Sequence, residues 1–184
     1  MANFTQKAIK ESFIKLLNER PLGKISVKDI VEDCGINRNS FYYHFQDIPT
    51  LLESIITSEA DRMIEEYPEI ESLENGLKVA LSFAIENKNA VLHIYNSVNR
   101  DIYEQYLMKV CRHVVSKYLD TVFKDVDVRK EDNEIAVRLV SCSIFGLIID
   151  WMNSGMDESR LADIERSCEI CKGIPDIIVA RAAK

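Results

Sequence analysis

The sequence predicts an all-α protein. Glycine and proline are scarce, six and four in 184 residues, which disfavours a turn-rich β design. Apolar residues recur at helical spacing along nearly the whole chain, and no period-2 alternation persists. They make up 47% of the residues, enough for a packed core rather than a disordered polymer. The length suits one or two compact units.

The helices follow in order. Asn3 is placed to cap the first, and Ile9, Phe13, Leu16 and Leu17 recur at i, i+4, i+7 and i+8, an amphipathic stripe that Pro21 and Gly23 bring to an end. Ser26-Val27-Lys28-Asp29 has capping-box form, a hydroxyl at the N-cap and a carboxylate three residues on. Val27, Ile30, Val31 and Cys34 supply the apolar face of the second helix, and Gly35 can take the left-handed conformation that stops it. Ile36 fills the turn, and Asn37 caps a third helix running to about Phe45. Asp47 caps a fourth, with Pro49 tolerated in its first turn, and apolar residues from Leu51 to Tyr67 carry it to Pro68.

From Leu73 to about Lys124 helical spacing continues, with a break expected near Glu86–Ala90. Asp125–Asp132 is polar and reads as a loop or as the cap of the next helix. Ile135–Met152 is apolar on nearly every side, so it needs partners on every side, part from its own domain and part from a second subunit. Asn153-Ser154-Gly155 ends it, and Glu158–Ala182 forms a last helical stretch with an interruption at Gly173-Ile174-Pro175.

Charge and motifs exclude several function classes. With 23 Lys/Arg against 30 Asp/Glu, the formal charge is −7, too acidic for a protein that coats nucleic acid all over. Residues 1–45 hold seven Lys/Arg against five Asp/Glu, a mildly basic head on an acidic body, as expected of a chain that touches a polyanion at one end. The five cysteines, an odd number set in helical patterns, suit reduced thiols. No uninterrupted run of about 18 apolar residues predicts a membrane span, and no apolar signal core follows Met1, so the chain is expected in the cytoplasm. No nucleophile elbow, P-loop, zinc-protease or dinucleotide fingerprint occurs, so neither an active site nor a cofactor is expected. Cys168-Glu169-Ile170-Cys171 is a lone C-x-x-C whose thiols read as small packed apolar groups, and no metal is expected there.

The segment Ser26–Phe45, SVKDIVEDCGINRNSFYYHF, reads as two short helices joined at a glycine. A helix that enters the DNA major groove leads with its N-terminal turns, here carrying Asn37, Arg38, Asn39, Ser40 and Tyr42. Arginine pairs with guanine O6/N7 and asparagine with adenine N6/N7, each worth roughly 1–3 kcal/mol of discrimination. Phe41 and Phe45 should anchor the helix, while Tyr43 and His44 remain available, His44 as a donor to a phosphate. Thr5, Lys7, Lys24, Ser26 and Lys28 lie at helix starts or in the connecting loop, where backbone phosphates are held. Residues 1–46 are therefore expected to form a helix-turn-helix domain, and 47–184 a helical regulatory and dimerisation domain. In that second part His93, Tyr95, Tyr103, Tyr106 and Trp151 with Arg100 could line a pocket for an anionic small molecule, although each singly also suits a core edge or a helix bridge.

These residues resemble the tetracycline-repressor (TetR) family of one-component regulators. Ile9 and Phe13, Ile25-Ser26-Val27, Ile30, Cys34-Gly35-Ile36 and the block Phe41-Tyr42-Tyr43-His44-Phe45 carry the resemblance, which is specific over residues 5–55. It implies a homodimer on a palindromic operator, with Tyr42 and His44 on the DNA while Arg38, Asn39 and Tyr43 tune sequence choice. It implies also a small-molecule effector or a protein co-regulator, repression by default, and activation in relatives that join a second protein. Ile48-Pro49 stands where the family often has a lysine, and Asn37 where a capping serine is commoner. The rival class is a helical protein-interaction or enzyme module.

Overall fold

A computed structural model of the protein describes residues 2–66, 84–124 and 126–171, with positions 77, 78, 81, 173, 174, 177 and 181. Its helices are α1 Ala2–Glu19, α2 Val27–Asp33, α3 Arg38–His44, α4 Ile48–Glu66, α5 Lys88–Tyr95, α6 Arg100–Val122, α7 Lys130–Asn153 and α8 Glu158–Ile170, with a 3-10 turn at Leu22–Lys24. The expected end of the fourth helix at Tyr67 and Pro68, the stretch 73–76 and the proline of the late interruption fall outside the described residues.

Two differences from the sequence reading have local causes. α1 already starts at Ala2, so Asn3 lies inside its first turn instead of capping it. Among the described residues the long central stretch breaks at Asn87 and again over 96–99. Spacing does not betray the second break because the apolar rhythm resumes in phase at Ile102; polar bonds make the turn, with Ser97 Oγ donating to the Ile94 carbonyl at 2.6 Å and the Asn99 N–H donating to Ser97 Oγ at 3.1 Å. Near the expected late interruption, α8 pauses at Ile170 with Cys171 as its C-cap and Gly173 at φ +89°, and the described positions 174, 177 and 181 beyond it are again helical.

The chain divides into two compact units, Met1–Glu59 with Ala84–Tyr106, and Ala60–Phe83 with Leu107–Lys184. In the first, α1 packs on α2, α3 and α5, and Ile9, Phe13, Leu17, Ile30, Phe41, Leu51, Leu52 and Val91 are almost fully buried. In the second, α7 packs on α8, and the core includes Val115, Leu119, Ile148, Met152 and Met156.

The helix α7 is two-sided. Ala136, Ser141, Ile144, Ile148, Trp151 and Met152 are buried, whereas Ile135 and Leu139 are 60% and 62% exposed. Ile135, Leu139, Cys142 and Gly146 recur at i, i+4, i+7 and i+11, so they form one exposed stripe. α7 is long and apolar enough to cross a membrane by length and composition, although Arg138 interrupts its apolar run. Its buried face marks it as a core helix with one side left over.

Candidate nucleic-acid interface

The head is assembled by local caps. Ser26 Oγ accepts from the Asp29 N–H at 3.4 Å, and Asp29 Oδ2 accepts from the Ser26 N–H at 2.8 Å, closing the capping box. The Ser26 hydroxyl, first among its partners, holds the Asp29 carboxyl below the usual carboxylate range. Gly35, at φ +68°, reverses the chain, and the Ile36 N–H closes back on the Val31 carbonyl at 2.9 Å. Asn37 Oδ1 then accepts from the Ser40 N–H at 2.8 Å and from Ser40 Oγ at 3.1 Å, starting α3.

This helix has opposite faces of opposite character. Phe41 is fully buried and Phe45 nearly so, their rings tilted together at 6.0 Å. Arg38 and Asn39 are exposed, as are Tyr42 at 55% and Tyr43 at 80%. The Tyr42 ring stands edge-on to Phe41 at 5.5 Å, and the half-buried His44 edge-on to Tyr43 at 5.0 Å. Among the described residues the Arg38 and Asn39 side chains make no hydrogen bond or ion pair, and both are exposed to water.

The surrounding candidates differ in how much of their chemistry is already spent. Ser26, Asn37 and Ser40 use polar atoms on caps. Lys24 is exposed at the end of the 3-10 turn, and Thr5 is half-buried on α1. Lys7 and Lys28 make only loose, exposed i,i+4 pairs with Glu11 and Glu32, each at 3.7 Å. Such pairs are worth about 0–1 kcal/mol, so either ammonium can swing to a phosphate at little cost. Asp47 begins α4, accepting from the Thr50 N–H at 2.8 Å, and that amide first of all lowers its pKa.

Sequence reasoning passed over the ties that hold α1 and the residue after it to α2. Lys15 Nζ lies 2.5 Å from Asp33 on α2, Ser12 Oγ donates to the Ile30 carbonyl at 3.3 Å, and Arg20 lies 3.3 Å from Asp29. No periodic signal marks pairs that distant in sequence.

The pocket candidates divide between the two units. His93, Tyr95, Arg100, Tyr103 and Tyr106 belong to the first, on α5 and α6; Trp151 belongs to the second, on α7. Arg100 lies over the Tyr95 ring at 3.9 Å, and its Nε–H donates to Glu104 at 2.5 Å, so a carboxylate already meets its charge. Tyr95 and Tyr103 are buried, Tyr106 half-buried, and burial pushes the Tyr95 phenol pKa up. The Trp151 indole N–H donates to the Asp157 carbonyl at 2.9 Å across the turn after α7. His93 Nδ1 lies 2.6 Å from the Leu17 carbonyl. Of the C-x-x-C pair, Cys171 is exposed, and the Cys168 side chain lies outside what is described. Among the described residues no cluster of three metal-ligating side chains occurs.

Two family models match the chain. Residues 14–55 match bacterial regulatory proteins of the tetR family, and residues 71–172 match the transcriptional regulator C-terminal region of the TetR type. The chain belongs to the TetR family. It is thus a non-enzymatic, DNA-binding transcriptional regulator.

This TetR-family chain is 31% identical over 84 residues to DhaS of Lactococcus lactis subsp. lactis strain IL1403, described as an HTH-type transcriptional activator of the dhaKLM operon. That match spans 46% of this chain and 45% of DhaS, under half the length of the curated relative. Among solved structures, the dihydroxyacetone kinase operon activator DhaS superposes with a TM-score of 0.76 at 19% identity, covering 98% of both chains. A TetR regulator from Rhodococcus sp. RHA1 gives 0.57 at 17% identity over 94% of this chain and 98% of its own. Salmonella enterica GusR gives 0.57 at 15% over 89% and 93%. At such identities the likeness speaks to fold alone.

Proposed function

We propose that two copies of this chain bind a palindromic operator in the cytoplasm, residues 1–46 reading DNA and 47–184 regulating and dimerising. The observation that carries this reading is the two-faced α3, buried at Phe41 and bare at Arg38, Asn39, Tyr42 and Tyr43. Arg38 and Asn39 read base edges, Tyr43 tunes the choice, and Tyr42 and His44 take sugar–phosphate contacts together with Lys7, Lys24 and Lys28. The exposed stripe of α7 supports dimerisation, because Ile135 and Leu139 gain nothing from water. An effector, either a small molecule or a protein co-regulator, changes operator affinity by as much as its preference between two states of the dimer.

An electrophoretic shift with DNA from upstream of the gene and its neighbours tests the reading. Retardation that survives competitor DNA supports it; no shift even at low salt overturns it. Repression by promoter blockage is the default for such a dimer. The 31% identity over 84 residues to DhaS, described as an activator, supports activation instead. An operon of the dihydroxyacetone-kinase type is the first target to try. A reporter fused to the bound promoter falls on deletion of the gene if the chain activates and rises if it represses.

A further inference from the structure

We infer that His93 and Asn18 are positioning residues for DNA reading, joining α5 to α1 through a reciprocal cap; this rests on the reading just given. The cap follows from what each helix end lacks. A helix leaves its last carbonyls and first N–H groups without partners of its own. At the end of α1 the Leu16 carbonyl accepts from the Arg20 N–H at 3.0 Å. The Leu17 carbonyl would next be served by residue 21, but Pro21 has no N–H. His93 fills that place from 76 positions away, with Nδ1 2.6 Å from the Leu17 oxygen. A carbonyl can only accept, so Nδ1 carries the hydrogen.

The complementary lack lies at the start of α5. Its N-cap, Asn87, makes no side-chain cap bond. The N–H of Ala90, third residue of α5, donates instead to Asn18 Oδ1 at 3.3 Å, and Asn18 Nδ2 donates to the Ile14 carbonyl at 3.0 Å, which orients the amide. Each helix thus caps the other, beside the buried side chains of Leu16, Leu17, Ala90, Val91 and Ile94.

α1 in turn holds α2 and α3 through Lys15–Asp33, the Ser12 hydroxyl on Ile30, and the buried Phe13 and Phe41. Residues 88–95, far from the helix-turn-helix in sequence, therefore belong to its framework. They lead through the 96–99 turn into α6, one helix whose residues to Tyr106 lie in the first compact unit and whose remainder lies in the second. A change in the second unit that reaches the start of α6 has a covalent route to the cap, distinct from α4.

Full-length protein and the operator fragment recovered in the shift assay test the inference. His93→Leu fills the space without a donor; His93→Asn returns an N–H near the place of Nδ1. Well below each melting temperature, with the active fraction titrated, His93→Leu should weaken operator binding about tenfold and leave non-specific affinity unchanged. Asn18→Ala should act in the same direction, and His93→Asn should stay within about twofold of wild type. A merely structural role would lower the active fraction without moving the operator Kd. Nitrogen-15 spectra of the folded protein should report hydrogen on Nδ1 of His93. Wild-type Kd in His93→Leu, equal losses in the Leu and Asn variants, or a hydrogen-free Nδ1 would each overturn the inference. If wild type itself binds no DNA, the functional reading fails, and the nitrogen spectra still decide whether the cap exists.

Discussion

Helices α3 and α7 both leave large hydrophobic side chains in water, yet they ask for different partners. On α3 the exposed rings are Tyr42 and Tyr43, which end in hydroxyls and sit beside Arg38 and Asn39. On α7 the exposed groups are Ile135, Leu139 and Leu147, which carry no polar atom at all. A tyrosine offers an apolar body with a wet tip, matched to a charged, hydrated groove; a leucine gains only where water leaves. An obligate dimer interface is apolar and dry, and a DNA interface polar and wet. Exposure alone names no partner; the chemistry of the exposed atoms does.

Five substitutions break or sharpen this contrast. The largest effect is expected at the anchor shared by both sides of α3: Phe41→Ala should cost about 3–5 kcal/mol in denaturant unfolding and abolish operator binding, whereas Tyr43→Ala should leave stability nearly unchanged. Next comes Leu139→Glu, which places one charge from each copy on the stripe. Sedimentation should show the dimer weakened by on the order of 3 kcal/mol while the monomer stays folded, and an intact dimer would erase the distinction between the helices. Arg38→Ala should cost about 1–3 kcal/mol and relax preference at one base position, whereas Lys28→Ala should weaken binding to all sequences and lower the salt slope. Equal losses across sequences from both would remove the assigned roles.

The smallest effect is acid-linked. Asp29 has its folded pKa depressed, chiefly by the Ser26 hydroxyl. Its contribution is therefore complete above the ordinary carboxylate pKa and fades as pH falls through the depressed value. Asp29→Asn should be less stable than wild type at neutral pH, and the gap should close at strongly acid pH in urea titrations. A gap independent of pH would mean the carboxylate charge contributes nothing to the cap.

Much of the head was legible because its decisive bonds are short-range. Ser26 with Asp29, Asn37 with Ser40 and Asp47 with Thr50 each span three residues, and Gly35 needs no neighbour to turn left-handed. The family block over α3 pointed to the same place. The turn at 96–99 stayed hidden because the apolar phase runs on past it, and the split of the pocket candidates between two units had no local mark. His93 read as one pocket aromatic among several; only Pro21, by withholding an N–H from Leu17, hinted that a donor had to come from elsewhere.

The amino-acid order alone settled the helical class, the caps of the reading motif and the residues it bares, since these depend on neighbours within a turn or two. Folding decided which face of Ile135–Met152 is left uncovered, which cations tie α1 to α2, and that α5 closes the end of α1. Those outcomes depend on groups tens of residues apart meeting at hydrogen-bond distance, and chain entropy lets them meet only once the apolar core has brought the helices together.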